Sequence, residues 1–175
     1  VSLNSAYTYT PAPTITAVSP EAGPTAGGQT ITLTGTAFFP GLAITVNSVA
    51  CTTSTYISFT SATCVTPAGA GGPFTVEVTN TDAQVGNLVT SYEYIAPPTV
   101  TSMAPTIGNG AGGDVITVTG TDFYVAGGVS ATINGVSCTG ITSLTATSFD
   151  CTTGNNGGLG GPFTMTVTNT VDGQT

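Results

Sequence analysis

The sequence predicts an all-β chain built as two tandem antiparallel sandwiches, and three observations predict it. No segment carries the apolar period of a helix, whereas short alternating runs recur between breaks rich in the chain's 24 glycines and 11 prolines. The order of those runs is laid down twice. Thr99 to Met103 returns for Thr14 to Val18, Val115 to Phe123 for Thr30 to Phe38, Asn134 to Cys138 for Asn47 to Cys51, and Gly160 to Thr170 for Gly71 to Thr81. Finally, 175 residues accommodate two small domains, each near the lower limit for burying a useful core.

The elements follow in order. Val1 to Thr10 (VSLNSAYTYT) sets Val1, Leu3, Tyr7 and Tyr9 against Ser2, Asn4, Thr8 and Thr10, the alternation of a half-buried strand. Pro11 to Pro13 is a stiff linker. Thr14 to Val18 is a short strand, and Ser19 to Gly28 a turn-rich crossing. Gln29 to Phe38 is the clearest strand: Ile31 and Leu33 alternate with Thr30, Thr32 and Thr34, and Gly35 marks a bulge or a close backbone approach. Ile44 to Cys51 makes two arms around Asn47 and Ser48, Ser61 to Pro67 ends in a proline, and Gly69 to Pro73 is a loop. Phe74 to Asn80 places Phe74, Val76 and Val78 on one face with Glu77 outside, and Leu88 to Ile95 closes the domain. About seven strands per repeat, spaced roughly 8 to 12 residues apart, fit a sandwich.

The first strand belongs, by its residues, to the end of a domain. At a constant offset of 85, Leu3 matches Leu88, Tyr7 matches Tyr92, Tyr9 matches Tyr94 and Pro13 matches Pro98. The second repeat stops at Thr175, where the first continues into its Tyr-x-Tyr strand. Thr175 written before Val1 yields NTVDGQTVSL, which lines up with Asn80 to Leu88 (NTDAQVGNL) with one extra residue. The expected organisation is a donor strand and linker over 1–12, a first domain over 13–97, and a second over 98–175 that lacks its last strand.

Composition excludes several functions. Eight carboxylates stand with no Lys, Arg or His, for a net charge of -8, so nothing can clamp phosphate or draw the chain to nucleic acid or anionic lipid. Only 5% of residues are charged, which makes a neutral-polar surface rather than an acidic tail. Four cysteines fall into two equally spaced pairs, Cys51 with Cys64 and Cys138 with Cys151. This argues for one disulfide per domain and an oxidising, extracellular setting, over free core thiols or a zinc site. No apolar run reaches a membrane span, and no sequon for N-linked sugar is present, although the threonine-rich surface offers hydroxyls for O-glycans.

Pro-x-Ile/Val-x-x-x-x-Pro, then Gly-Gly-x-x-Ile-Thr-Leu/Val-Thr-Gly-Thr-x-Phe, then Cys-x-Thr-Pro and a late Phe-Thr-Val-x-Val-Thr-Asn together resemble the IPT/TIG domain family. In the first repeat the pattern is carried by Pro13, Ile15, Pro20, Gly27, Gly28, Ile31, Gly35, Phe38, Cys64 and Pro67. In the second it is carried by Pro98, Val100, Pro105, Gly112, Gly113, Ile116, Gly120, Phe123 and Cys151, with Gly154 in place of the second proline. The resemblance implies an immunoglobulin-like sandwich in each half. Members of the family act as receptor stalks, surface arrays, accessory modules of secreted enzymes, or dimerisation domains of transcription factors. The last role does not suit a chain without basic residues.

Catalysis finds little material: without His, Lys or Arg a hydroxyl nucleophile has no ordinary base, and the chain is not expected to be an enzyme or to need a cofactor. Asp114 and Asp122 flank one strand about 26 Å apart, too far for a glycosidic pair. Gly108 to Gly113 satisfies G-x-G-x-x-G, but a strand follows where a nucleotide site needs a helix, so it is a turn. Glu77 and Glu93 would offer a hard cation only two ligands, too few for calcium. Phe39 and Tyr124 could stack on a sugar, though no Trp accompanies them. The expected function is a structural subunit of an extracellular filament, in which Val1, Leu3, Tyr7 and Tyr9 of one copy add to the strand of Phe163, Met165 and Val167 in the next. Its partners would be other copies of the chain, head to tail. One period of a covalent tandem array would give the same sheet, and an adhesin or carbohydrate-binding spacer is the alternative.

Overall fold

The computed structural model describes residues 7 and 9–170. Val1, Leu3 and the join between the two ends of the sequence lie outside the described residues. Fifteen strands and no helix are present among them, divided into two compact units, 1–94 and 95–175.

In the first unit, one sheet has the order β1-β3-β7-β6, from β1 (Thr14–Ser19), β3 (Thr30–Thr36), β6 (Thr53–Ser58) and β7 (Ser61–Val65). The facing sheet has the order β2-β9-β8-β4-β5, from β2 (Ala22–Pro24), β4 (Ala43–Val46), β5 (Val49–Ala50), β8 (Gly71–Thr79) and β9 (Val85–Ile95). Strict alternation in β3 buries Ile31 and Leu33 and exposes Thr30, Thr32, Thr34 and Thr36, as a sheet with one wet face requires. Asn47 and Ser48 both take positive φ, 52° and 64°, the mirror-image turn whose twist matches a tight hairpin between β4 and β5. At Gly35 a methyl group would strike the Thr14 carbonyl, and the irregularity in register falls opposite it on β1, between Ile15 and Ala17. The close approach is therefore at the glycine and the bulge on its partner.

The second unit repeats this plan in one continuous path, β10-β11-β14-β13-β12-β15. Its strands are β10 (Thr99–Ala104), β11 (Val115–Thr121), β12 (Val129–Ile133), β13 (Val136–Thr142), β14 (Ser148–Thr152) and β15 (Met165–Asn169). β13 joins the two faces, pairing with β12 through Val136 to Cys138 and with β14 through Thr139 to Thr142, where the first unit breaks the same stretch into β5 and β6. Cys51–Cys64 and Cys138–Cys151 are disulfides with Cα atoms 5.8 and 5.7 Å apart.

A buried asparagine ties the sheets in each unit. Asn80 Nδ2 donates to the Ala37 carbonyl at 2.8 Å while its Oδ1 accepts from Phe39 N at 3.2 Å. Asn169 repeats this with the Asp122 carbonyl at 3.0 Å and Tyr124 N at 3.0 Å. Neither side chain can be replaced by an apolar one without leaving backbone groups unsatisfied.

The strand expectations hold for β1, β3, β4, β5 and β9; β8 begins at Gly71, inside the stretch Gly69 to Pro73 expected to be a loop, because Gly71 pairs with Tyr94, and β2 and β6 are additional. β2 lies within the stretch read as a crossing, and it forms through its pairing with β9. β6 is an edge strand whose side chains are exposed or only half-buried, so its sequence shows no apolar face.

Candidate functional site

The site is the place where the two units differ. In the first, β9 runs between β2 and β8, with Leu88 opposite Val76, Tyr92 opposite Phe74 and Tyr94 opposite Gly71. It carries Tyr92 and Tyr94 into the core, 0% and 5% exposed, with their rings edge to face at 5.1 Å. Tyr94 also packs beside Phe74 at 6.2 Å, and its hydroxyl donates to the Pro67 carbonyl at 2.9 Å. Burial pushes the Tyr94 phenol up to about 12, and the neighbouring Tyr92 adds to this. Two glycines make room: a methyl group at Gly23 would strike the Tyr92 hydroxyl, and one at Gly69 would strike the Tyr94 ring.

In the second unit β15 pairs with β12 on one side, and no strand lies along its other side among the described residues. A cavity of about 470 Å³ opens beside the segment that leads into β15, lined by Met103, Ile107, Ile133, Val136, Leu159 and Phe163. The counterparts of several of these residues in the first unit are fully covered. Ala22 is 1% exposed whereas Ile107, at the same place in the repeat, is 88% exposed. Val18, Val46 and Val76 are buried whereas Met103, Ile133 and Met165 are half-buried. Of the residues expected to receive a strand, Met165 and Val167 lie on β15 and Phe163 precedes it. Its counterpart Phe74 is part of β8, where it has Tyr92 opposite.

The rim of this cavity carries polar groups that the sequence reading did not single out for it. Asp114 Oδ2 accepts from Asn109 N at 2.5 Å, and Asp114 N donates to Thr153 Oγ1 at 3.1 Å. Both Asp114 and the loop from Gly108 to Gly110 line the cavity. The G-x-G-x-x-G stretch is the turn it was read as, with Gly112 and Gly113 at φ 77° and 93°. Asn156 stands where the first unit has Gly69: Asn156 N bonds to the Gly110 carbonyl just as Gly69 N bonds to that of Thr25.

Tyr7 and Tyr9 lie outside both cores, 75% and 87% exposed, yet their rings meet edge to face at 4.8 Å, close to the 5.1 Å of Tyr92 and Tyr94. The segment is clasped to the first unit at its end. Thr10 Oγ1 donates to Asp82 at 2.5 Å, and Gln84 Nε2 donates to the Thr10 carbonyl at 2.9 Å. The Thr10 hydroxyl, followed by the Gln84 backbone and side chain, holds the Asp82 carboxyl below its usual range. Nothing in the local sequence announces this clasp, because Thr10 and Asp82 are joined only by the fold.

The remaining candidates stay apart. Glu77 lies opposite Asn87 on β9, not opposite Glu93, and no cluster of three metal-ligating side chains occurs among the described residues. Phe39 is half-buried with its ring edge-on to Phe59 at 5.9 Å, a packing contact; in the second unit Ala146 stands at the place of Phe59. No helix is long and apolar enough to cross a membrane among the described residues.

Comparison with known proteins agrees with this architecture. Fibrocystin-L of Mus musculus is 30% identical over 155 residues, 87% of this chain and 4% of that protein. Plexin-B3 of Homo sapiens is 31% identical over 138 residues, 73% of this chain and 7% of that protein, so the chain spans only a small part of these relatives. Among solved structures, the plexin A4 full extracellular region has a TM-score of 0.52 at 20% identity, over 89% of this chain and 16% of that one, a likeness of fold. The IPT/TIG domain matches residues 13–94 and again residues 98–175. Two copies of one domain thus account for nearly the whole sequence, and the chain belongs to the IPT/TIG family.

Proposed function

We propose that the chain is the structural subunit of an extracellular filament, in which residues 1–10 of one copy complete the second domain of the next. One observation carries this reading: the second domain has a cavity where the first holds Tyr92 and Tyr94, and Tyr7 and Tyr9, their twins in sequence, stand exposed in a matching edge-to-face pair. The addition is a strand alongside β15, with backbone bonds for affinity and alternate side chains in the slot for register. Burial of Leu3, Tyr7 and Tyr9 contributes about 1.5 to 3 kcal/mol each, less the cost of ordering the strand. Donor and acceptor are different surfaces, so the contact is heterologous and propagates head to tail. The clasp at Thr10 fixes where the donor segment leaves its own first domain. The disulfides and the extracellular fold likeness support a setting outside the cell.

Deletion of residues 1–10 is expected to leave soluble, unpolymerised chains; filaments of normal length from that deletion would overturn the proposal. A second reading is favoured by the cyclic continuity of the sequence around Thr175 and Val1: the same slot filled along one covalent tandem array. The mass after full denaturation and reduction separates the two. Separate subunits yield a species near 17.1 kDa, and a covalent array a very large one.

A further inference from the structure

Resting on the strand-donation reading, we infer that the carboxylate of Asp114 is the hydrogen-bond acceptor for the hydroxyl of Tyr7 from the incoming strand, and that it makes the slot of the second domain selective for tyrosine over phenylalanine there. The two domains place their groups around a matching pair of glycines. In the first, the Tyr92 hydroxyl and the stem of Gln29 both lie against Gly23, Gln29 Cβ being 3.1 Å from where a methyl group would stand. In the second, the residue corresponding to Gln29 is Asp114, and its Oδ2 lies 2.6 Å from the equivalent point at Gly108. The spot that receives the tyrosine hydroxyl in the first domain is thus approached by a carboxylate oxygen in the second.

Neither Gly23 nor Gly108 has a left-handed backbone that would demand glycine. The missing side chain is explained by the space, and at Gly23 that space holds a phenol oxygen. Asp114 is half-buried on the cavity wall, and one of its oxygens already accepts from Asn109 N. A carboxylate takes several hydrogen bonds, so a phenol can be added without breaking that one. Tyr9 meets a different wall. The counterpart of the Pro67 carbonyl is Gly154, which lines the cavity, but Asn156 replaces Gly69, so the Tyr9 ring must sit displaced from the position of Tyr94. The hydroxyl-specific contact therefore falls to Tyr7.

The test is a double-mutant cycle on assembly of the full chain, read as the critical concentration for filament formation. Tyr7→Phe is expected to raise it about ten- to a hundredfold, the range for losing a hydrogen bond to a charged group. In an Asp114→Ala background the same change should raise it no more than about threefold. Tyr9→Phe should cost the same in both backgrounds. Asp114→Asn, which keeps the side chain's shape, provides a second background if the alanine variant does not fold, and coupling to Tyr7 should fall there as well. Equal effects of Tyr7→Phe with and without Asp114, or no effect in either, would overturn the contact while leaving strand donation intact. Failure of the unmodified chain to assemble would overturn strand donation, and the contact with it.

Discussion

The first and second domains share their sheet pairings, disulfide and buried asparagine, and they differ in what closes the sandwich. In the first, β9 buries two tyrosines, gives β2 a partner and extends β8 back to Gly71. In the second, the segment corresponding to β2 is not a strand and β15 begins only at Met165. The difference teaches that β9 is a structural keystone for its surroundings: in the second domain, where no such strand is present among the described residues, the segment corresponding to β2 is not a strand and Ile107 is exposed, although the rest of the sandwich keeps its pairings.

Changing Tyr92 to Ala is the strongest way to break the distinction. It should remove about 3 to 5 kcal/mol from the first domain, the usual cost of emptying a fully buried aromatic site, measured by denaturant unfolding. A loss below about 1 kcal/mol would show that the slot collapses without its ring. Next in size, replacing Cys51 and Cys64 by Ser, or Cys138 and Cys151 by Ser, should cost about 3 kcal/mol in either domain, since both bridges close loops of the same length. Calorimetry of the two variants sharpens the comparison, because the domain with the open slot should then melt first.

The smallest effect is alkaline. The Tyr94 phenol is raised from 10 to about 12 in the folded domain, so its contribution is complete below pH 10. Above pH 10 the unfolded chain releases that proton while the folded one retains it, and the stability is lost as pH climbs toward 12. Unfolding of the first domain followed from pH 9 to 12 should show this decline, and Tyr94→Phe should flatten it. The second domain has no buried tyrosine among its described residues and should not share it.

Much of this was legible in the sequence because the chain says it twice. β3 was readable from Ile31 and Leu33 set between threonines, and the cysteine pairs from their equal spacing. The kinship of Tyr7 and Tyr9 with Tyr92 and Tyr94 was readable from a constant offset. What was not legible depends on contacts distant in sequence. β2 is three residues of Ala, Gly and Pro that form a strand beside β9, and β6 is an edge with no apolar alternation. Asp114 read as the flank of a strand, since only the folded loop turns its carboxylate toward Gly108 and the cavity. Asn156 and the Thr10–Asp82 clasp were hidden for the same reason: neither has a local pattern, and each acquires meaning from a partner supplied by the fold.

The wet face of β1-β3-β7-β6 has a consequence for the chemical environments the surface can meet. All four carboxylates of the first domain, Glu21, Glu77, Asp82 and Glu93, lie off these strands, and the face presents threonine hydroxyls and methyls. Acid unfolds many proteins by building up positive charge as their carboxylates are neutralised. Here eight carboxylates can be protonated and there is no Lys, Arg or His to leave behind, so the side chains move from -8 towards zero and never to a large opposite charge. The threonine face has no charge to change, and it looks the same to a neighbouring molecule in an acidic medium as in a neutral one.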